Sequence, residues 1–413
     1  MRNPQDVAVV RGLAARYAEI AALPIQEEKR RLWTQHFSLQ RTRVPILSTY
    51  GMWNVWCRDV FGDQRMTCTD PFLRGYERDL RMRIFQHEVV GDDSIQEPWL
   101  TLGASVKGGW GQLWGVSESM QGAGVEGGAA AFDPPLKSWD DVAKLRMTHH
   151  EVDEAETARN LERLTNAVGD ILPIDVVRTP AHNGFMSDIS TSITKLRGLE
   201  ALMLDMYESP QELHRLLAFM RDSILENNRE AEEAGHYSLT SGQNQAACYA
   251  SGLERPRPNS GPRRRKDIWG FGAAQEYTLI SPAFHEEFLF QYQRPILEHF
   301  GLVHYGCCED LGQKIDMLRK LKNLRSIAVT PVANVRHCAE QIGADYAIAW
   351  RPNPTDMVCY GYDEERIRRI VTDGLAACRG GFPHIHLKDI ETVEGDVTRL
   401  TRWVKLVRTV AGE

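Results

Sequence analysis

The sequence predicts an α/β fold, a (β/α)8 barrel with an N-terminal helical extension, on three observations. From Ser281 onward, short apolar strands alternate with amphipathic helices across short connections, as parallel β/α units do. Polar and reactive side chains gather at the ends of the predicted strands, where the loops of such a barrel share one face. A length of 413 residues suits one barrel plus an extension. The extension is placed at residues 1–43 and the barrel at 44–413.

In chain order, residues 5–40 are expected to be largely helical, because Val10, Leu13, Tyr17 and Ile20 recur three or four apart. Val44-Pro45-Ile46-Leu47 is a candidate first strand, and 70–90 a helix with Leu73, Tyr76, Leu80 and Ile84 in one stripe. Gly122-Ala123-Gly124-Val125-Glu126-Gly127 satisfies the G-x-G-x-x-G pattern. No strand precedes it and no long helix can follow, so a loop or hairpin is expected, not a nucleotide site. After a helix at 154–168, a strand at 172–177 delivers Arg178, Thr179, His182 and Asn183. Arg178, His182 and Asn183 are candidate substrate contacts, or part of a polar turn bonded to its own backbone.

Ser209-Pro210-Gln211-Glu212 signals a helix start by its cap, its proline and its following glutamate. A strand at 236–240 would then present Gln243 and Asn244, two further candidate substrate contacts. Residues 255–266, RPRPNSGPRRRK, form an irregular segment: a solvated loop, or a lid or docking loop for an acidic partner or a phosphate-bearing cofactor. The remaining helices are expected at 282–299, 311–321, 332–342, 363–378 and 398–407, and the strands at 302–306, 325–330, 346–350 and 383–388.

Composition narrows the function. A 42% hydrophobic, 25% charged chain can bury a substantial core. A net charge of −7 argues against nucleic acid or anionic lipid as partner. No apolar run approaches the roughly 18 residues of a membrane helix, and Met1 to Asp6 open no secretory segment, so a cytoplasmic protein is expected. Eight dispersed cysteines suggest reduced thiols, and a homo-oligomer is left open.

The chemistry concentrates at His304-Tyr305-Gly306-Cys307-Cys308-Glu309-Asp310, at the end of a predicted strand. Thiolate plus imidazole suits zinc, which makes His304, Cys307 and Cys308 candidate ligands; a pair of buried thiols beside a core histidine is the alternative. Arg351 with Asn353, and His384, His386, Lys388 and Asp389, mark two more strand ends. Alternation turns His384, His386 and Lys388 to the barrel axis and Ile385 and Leu387 to the helices. Glu309, Asp389 and His386 are the candidate acid–base groups, and Arg351 a substrate contact.

The C-terminal half resembles the uroporphyrinogen decarboxylase superfamily, especially its corrinoid-dependent methyltransferase branch. The resemblance is carried by Trp269-Gly270-Phe271, Gln275-Glu276-Tyr277, Ser281-Pro282, Glu286-Glu287-Phe288, the His304 to Glu309 stretch, Arg351-Pro352-Asn353-Pro354, Lys388-Asp389, Arg399-Leu400 and Trp403. It implies a single barrel, a zinc site built on H-x-C with a further cysteine, and methyl transfer from a small methylated substrate to the cobalt of a corrinoid. This chain departs from that motif. His304 and Cys307 stand one residue too far apart, and Cys378 precedes the last strand, so His386 is the better third ligand. The M-R-Q-A-G-R-Y segment of true uroporphyrinogen decarboxylases is missing. So is the D-x-H-x-x-G cobalamin signature, so the corrinoid is expected on a separate partner protein. A metal-independent decarboxylase or lyase and a non-catalytic ligand-binding barrel are the alternatives.

Overall fold

The structure is a computed structural model that describes residues 3–50, 56–107, 113–122, 124 and 130–413. Its strands are β1 (Ile46–Tyr50), β2 (Leu100–Gly103), β3 (Ser119–Gly122), β4 (Ala130–Asp133), β5 (Ile174–Val177), β6 (Trp269–Gly272), β7 (Leu302–Tyr305), β8 (Leu324–Val329), β9 (Ala347–Trp350) and β10 (Phe382–Ile390). Six of them form one parallel half-barrel sheet in the order β1-β10-β9-β8-β7-β6. β2 and β5 pair in parallel as a separate sheet. The strands of the six-stranded sheet are largely buried because helices cover the outside and side chains fill the inside.

The closed eight-stranded ring expected from sequence is not formed among the described residues, and side chains explain both gaps. On the free edge of β1, Asp93 Oδ2 accepts from Ile46 N at 2.8 Å, Asp92 Oδ2 from Ser48 N at 2.6 Å, and Gln86 Nε2 donates to Ser48 O at 2.6 Å. Two carboxylates and an amide do there what β2 would do in a ring. On β5, Asn259 Nδ2 donates to Ile174 O at 2.9 Å, and Asp175 Oδ1 accepts from Asn259 N at 2.7 Å. The expected strand at 236–240 is a turn, because Ser241 Oγ accepts from Ser238 N at 3.0 Å and the hydroxyls of Ser238, Thr240 and Ser241 bond one another.

The extension is two helices, Pro4–Ala21 and Pro24–Phe37, each opening on proline. The second does more than cover the barrel. Its Trp33, His36 and Phe37 are buried under the start of the sheet, with His36 Nε2 2.8 Å from His384 Nδ1 and the Phe37 ring 5.1 Å from Trp269. Helices Glu154–Val168, Pro210–Glu233, Val335–Ile342, Glu364–Ala377 and Thr398–Ala411 lie where the periodicity places them. Ser209 occupies the expected N-cap position but makes no side-chain cap bond. Of the glycine tract, residues 123 and 125–127 lie outside the described residues; β3 and β4 flank it as an antiparallel pair. No described helix is long and apolar enough to cross a membrane.

Residues 255–266 lead into the start of β6, the end of the sheet opposite the reactive side chains. Their arginines pair within the chain: Arg255 with Glu27 at 2.7 Å, Arg263 with Glu254 at 3.0 Å and Arg265 with Glu232 at 2.8 Å. The segment is a mostly exposed loop tied down by these ion pairs and by the Asn259 bonds to β5, as the solvated-loop reading expects, and it lies at the strand starts rather than at the ends that carry the reactive side chains.

Asp93 ties this architecture together, because its buried carboxylate also holds Arg43 at 2.6 Å and Arg408 at 3.0 Å. Against the opposing effect of burial, hydrogen bonds from Arg43 hold its pKa below the usual carboxylate value. Its contribution is therefore present at neutral pH and lost as pH falls through the folded-state value. Asp93→Ala should lower stability by about 3 kcal/mol in urea unfolding at pH 7, whereas alanine at the exposed Asp63 should cost under about 1 kcal/mol.

Candidate functional site

The site is built where β7, β9 and β10 end. β7 stops at Tyr305, and Gly306 takes a φ of +107°, where a Cβ would meet Ala328 Cβ and Leu311 Cδ1 at 2.8 Å. Glycine alone fits that turn, which swings Cys307 and Cys308 over the strand end. Glu309 then fixes the loop: its Oε2 accepts from Cys307 N at 2.8 Å and Cys308 N at 2.9 Å, and its Oε1 from Ala274 N at 2.7 Å. Buried and occupied by three amides, Glu309 positions the thiols and has no exposed face for the acid–base role expected of it.

From β9, Arg351 enters beneath the loop. Its Nη1 donates to Cys307 O, and its Nη2 to Gln245 Oε1 at 2.6 Å, with His304 Nε2 3.2 Å away. From β10, Lys388 Nζ lies 3.5 Å from Cys307 Sγ, 3.6 Å from Cys308 Sγ and 2.6 Å from Asp389 Oδ2. Asp389 holds a φ of +57°, a strained position for a residue other than glycine and one that functional sites often contain.

The two sulfurs stand 3.4 Å apart as free thiols and differ electrostatically. The hydrogen bond from Cys308, then the charge of Lys388, with Gln245 and Arg351 adding to it, lowers the Cys307 pKa to about 6 against the effect of burial. The same hydrogen bond, with burial, pushes Cys308 up. The pair shares one proton, which rests on Cys308 at neutral pH and leaves Cys307 a thiolate.

His304 is turned to other work. Its Nδ1 lies 2.9 Å from Ser326 Oγ, and its Nε2 lies 3.2 Å from both the Gly306 carbonyl and Arg351 Nη2, so both ring nitrogens face partners within the fold. Burial, then Arg351, lowers its pKa to about 3. Among the described residues no group of three or more His, Cys, Asp or Glu side chains is arranged to hold a metal ion. The geometry therefore does not fit the tetrahedral site expected of His304, Cys307 and Cys308, and the cation among the sulfurs is the Lys388 ammonium.

His386 lies on the β1 side, Nε2 2.9 Å from Thr49 Oγ1, and burial holds it neutral. Of the expected acid–base groups, Asp389 alone joins the thiols. Arg178 pairs with Glu154 at 2.8 Å outside the cluster, and His182 is fully buried with its ring 4.7 Å from Trp114. Asn183 opens a short turn, Gln243 packs beside Gly184, and Asn244 Oδ1 accepts from Ala246 N at 3.0 Å. Two residues given no role from sequence prove central: Lys388, whose inward parity was visible, and Gln245, which had no local signal.

A cavity of about 220 Å3 covers the cluster, walled by Cys307, Cys308, Arg351, Lys388 and Asp389 on the polar side and Pro331, Val332 and Pro354 on the apolar side. A second, of about 500 Å3, is lined by residues of the open β1 edge and β2, including Trp33, Thr49, Arg83, Glu97, Trp99 and Thr101.

No family model matches this chain, and no curated protein matches it in sequence. Among solved structures, a methyltransferase from Methanosarcina mazei superposes with a TM-score of 0.52 at 12% identity, over 92% of this chain and 97% of that one. The likeness runs over most of both chains and shows that they share a fold.

Proposed function

We propose that the chain is a methyltransferase whose Cys307 thiolate takes a methyl group from a small methylated substrate and passes it to the cobalt of a corrinoid on a separate protein. The observation that carries this reading is the Cys307 sulfur, held as an anion against Lys388 in a small cavity at the strand ends. The full-length likeness to a solved methyltransferase supports it.

In the first half-reaction the Cys307 sulfur attacks the methyl carbon opposite the leaving atom. A C–S bond forms, the bond from carbon to oxygen, nitrogen or sulfur breaks, and its electron pair stays on the leaving atom. Lys388, steadied by Asp389, gives that atom its proton, which leaves methylated Cys307, the demethylated product and a neutral amine. A corrinoid on the partner protein would supply the nucleophile that accepts the methyl group; the C–S bond would then break with the Cys307 sulfur leaving as thiolate, stabilised by the Cys308 S–H and by Lys388 reprotonated from solvent. No step uses zinc.

The test is turnover of isotope-labelled methoxy, methylamine and methylthio donors with reduced cobalamin, following methylcobalamin by its absorbance. Label should reach cobalt with at least one donor class. Label that stays on every donor, with cobalamin or with a corrinoid protein as acceptor, would overturn the reading.

A further inference from the structure

We propose that the substrate of this site is an anion, a small methylated carboxylate whose carboxylate pairs with Arg351 beside Lys388. This rests on the reading of the thiol cavity as the place where the methyl donor binds. Arg351 is 2% exposed, yet it makes no ion pair with a carboxylate among the described residues. Its Nη1 and Nη2 go to neutral acceptors, the Cys307 carbonyl and the Gln245 amide, with the His304 ring 3.2 Å away, and its buried Nε has no partner. A buried guanidinium with an idle donor is costly unless an anion completes it.

Neither neighbouring carboxylate is free to be that anion. Glu309 is taken up by three backbone amides, and Asp389 is bound to Lys388 at 2.6 Å. A carboxylate brought by the substrate would complete the buried guanidinium where the fold supplies none. Arg351 and Lys388 both line the cavity, so a carboxylate there meets two cations at once. The volume of about 220 Å3 and the apolar Pro331, Val332 and Pro354 limit the rest of the molecule to a short uncharged body.

The experiment compares methoxyacetate with 2-methoxyethanol, two probes of similar size that differ in charge, by calorimetric titration of the full chain at pH 7. Methoxyacetate should bind at least tenfold more tightly, acetate should compete with it, and Arg351→Gln should abolish the preference. Should that variant fail to fold, the wild-type protein gives the same answer, because methoxyacetate should protect Cys307 from alkylation and 2-methoxyethanol should not. Equal binding of the two probes, equal protection, or a carboxylate preference that survives in folded Arg351→Gln would each overturn the inference. The readouts need no turnover. A carboxylate preference without methyl transfer from any donor would count against the methyltransferase reading alone, and methyl transfer without the preference against this inference alone.

Discussion

Replacing Cys307 with serine should reduce methyl transfer by about 10³-fold or more while the protein stays folded. A serine hydroxyl stays protonated at neutral pH, so the nucleophile disappears even though Lys388 and Arg351 remain in place. The substitution is small and sits at the cavity rim, where Gly306 and the Glu309 bonds to the loop amides keep the backbone path. Thermal unfolding should shift little, which separates loss of chemistry from loss of fold. Cys308→Ser should cost much less, about tenfold, because a hydroxyl still donates to the Cys307 sulfur. Single-turnover transfer from a labelled donor, beside a melting curve for each variant, checks all of these values.

Lys388→Met should produce the second large effect, a fall of about 10²-fold at pH 7. The side chain keeps its length and loses the charge that lies 3.5 Å from Cys307 Sγ. The sign follows from the thiol. In the wild-type protein Cys307 has its pKa lowered to about 6, so activity should fall only as pH drops below that value. Without the ammonium the thiol moves back toward the ordinary value of about 8.5, and the acid limb moves up with it. Raising the pH to about 9 should then restore the thiolate in Lys388→Met but not the proton donor, so rescue is partial. A pH–rate profile that keeps its acid limb near 6 in this variant would mean that Lys388 does not set the state of the sulfur.

Much of this was legible in the sequence where each element satisfies itself. The strands from β7 to β10 announce themselves because both faces are buried, and alternation along β10 correctly turns His384, His386 and Lys388 inward while Ile385 and Leu387 pack outward. β6 was legible only as part of a resemblance, since a strand reading Trp-Gly-Phe-Gly lacks the β-branched signal. Its glycines are demanded from outside: a Cβ on Gly270 would meet Phe300 Cγ at 2.6 Å, and one on Gly272 would meet Leu297 Cδ1 at 2.8 Å. The open edge of β1 was not legible either, because it depends on Asp92 and Asp93 reaching a strand over forty positions away. At the site, the dense cluster of reactive residues pointed to Cys307, Cys308 and Asp389, but the identity of their shared cation did not follow. His304 looked like a ligand, but its Nε2 is taken up between the Gly306 carbonyl and Arg351, 47 positions on.

Methyl transfer at this site depends on the state of one sulfur atom, and alkylation of the intact protein reads it. The rate of iodoacetamide labelling at Cys307, followed by peptide mass spectrometry from pH 4 to 10, should rise along a limb near 6 and outpace labelling at the more exposed Cys308. A limb near the ordinary thiol value, or Cys308 labelled first, would contradict the account.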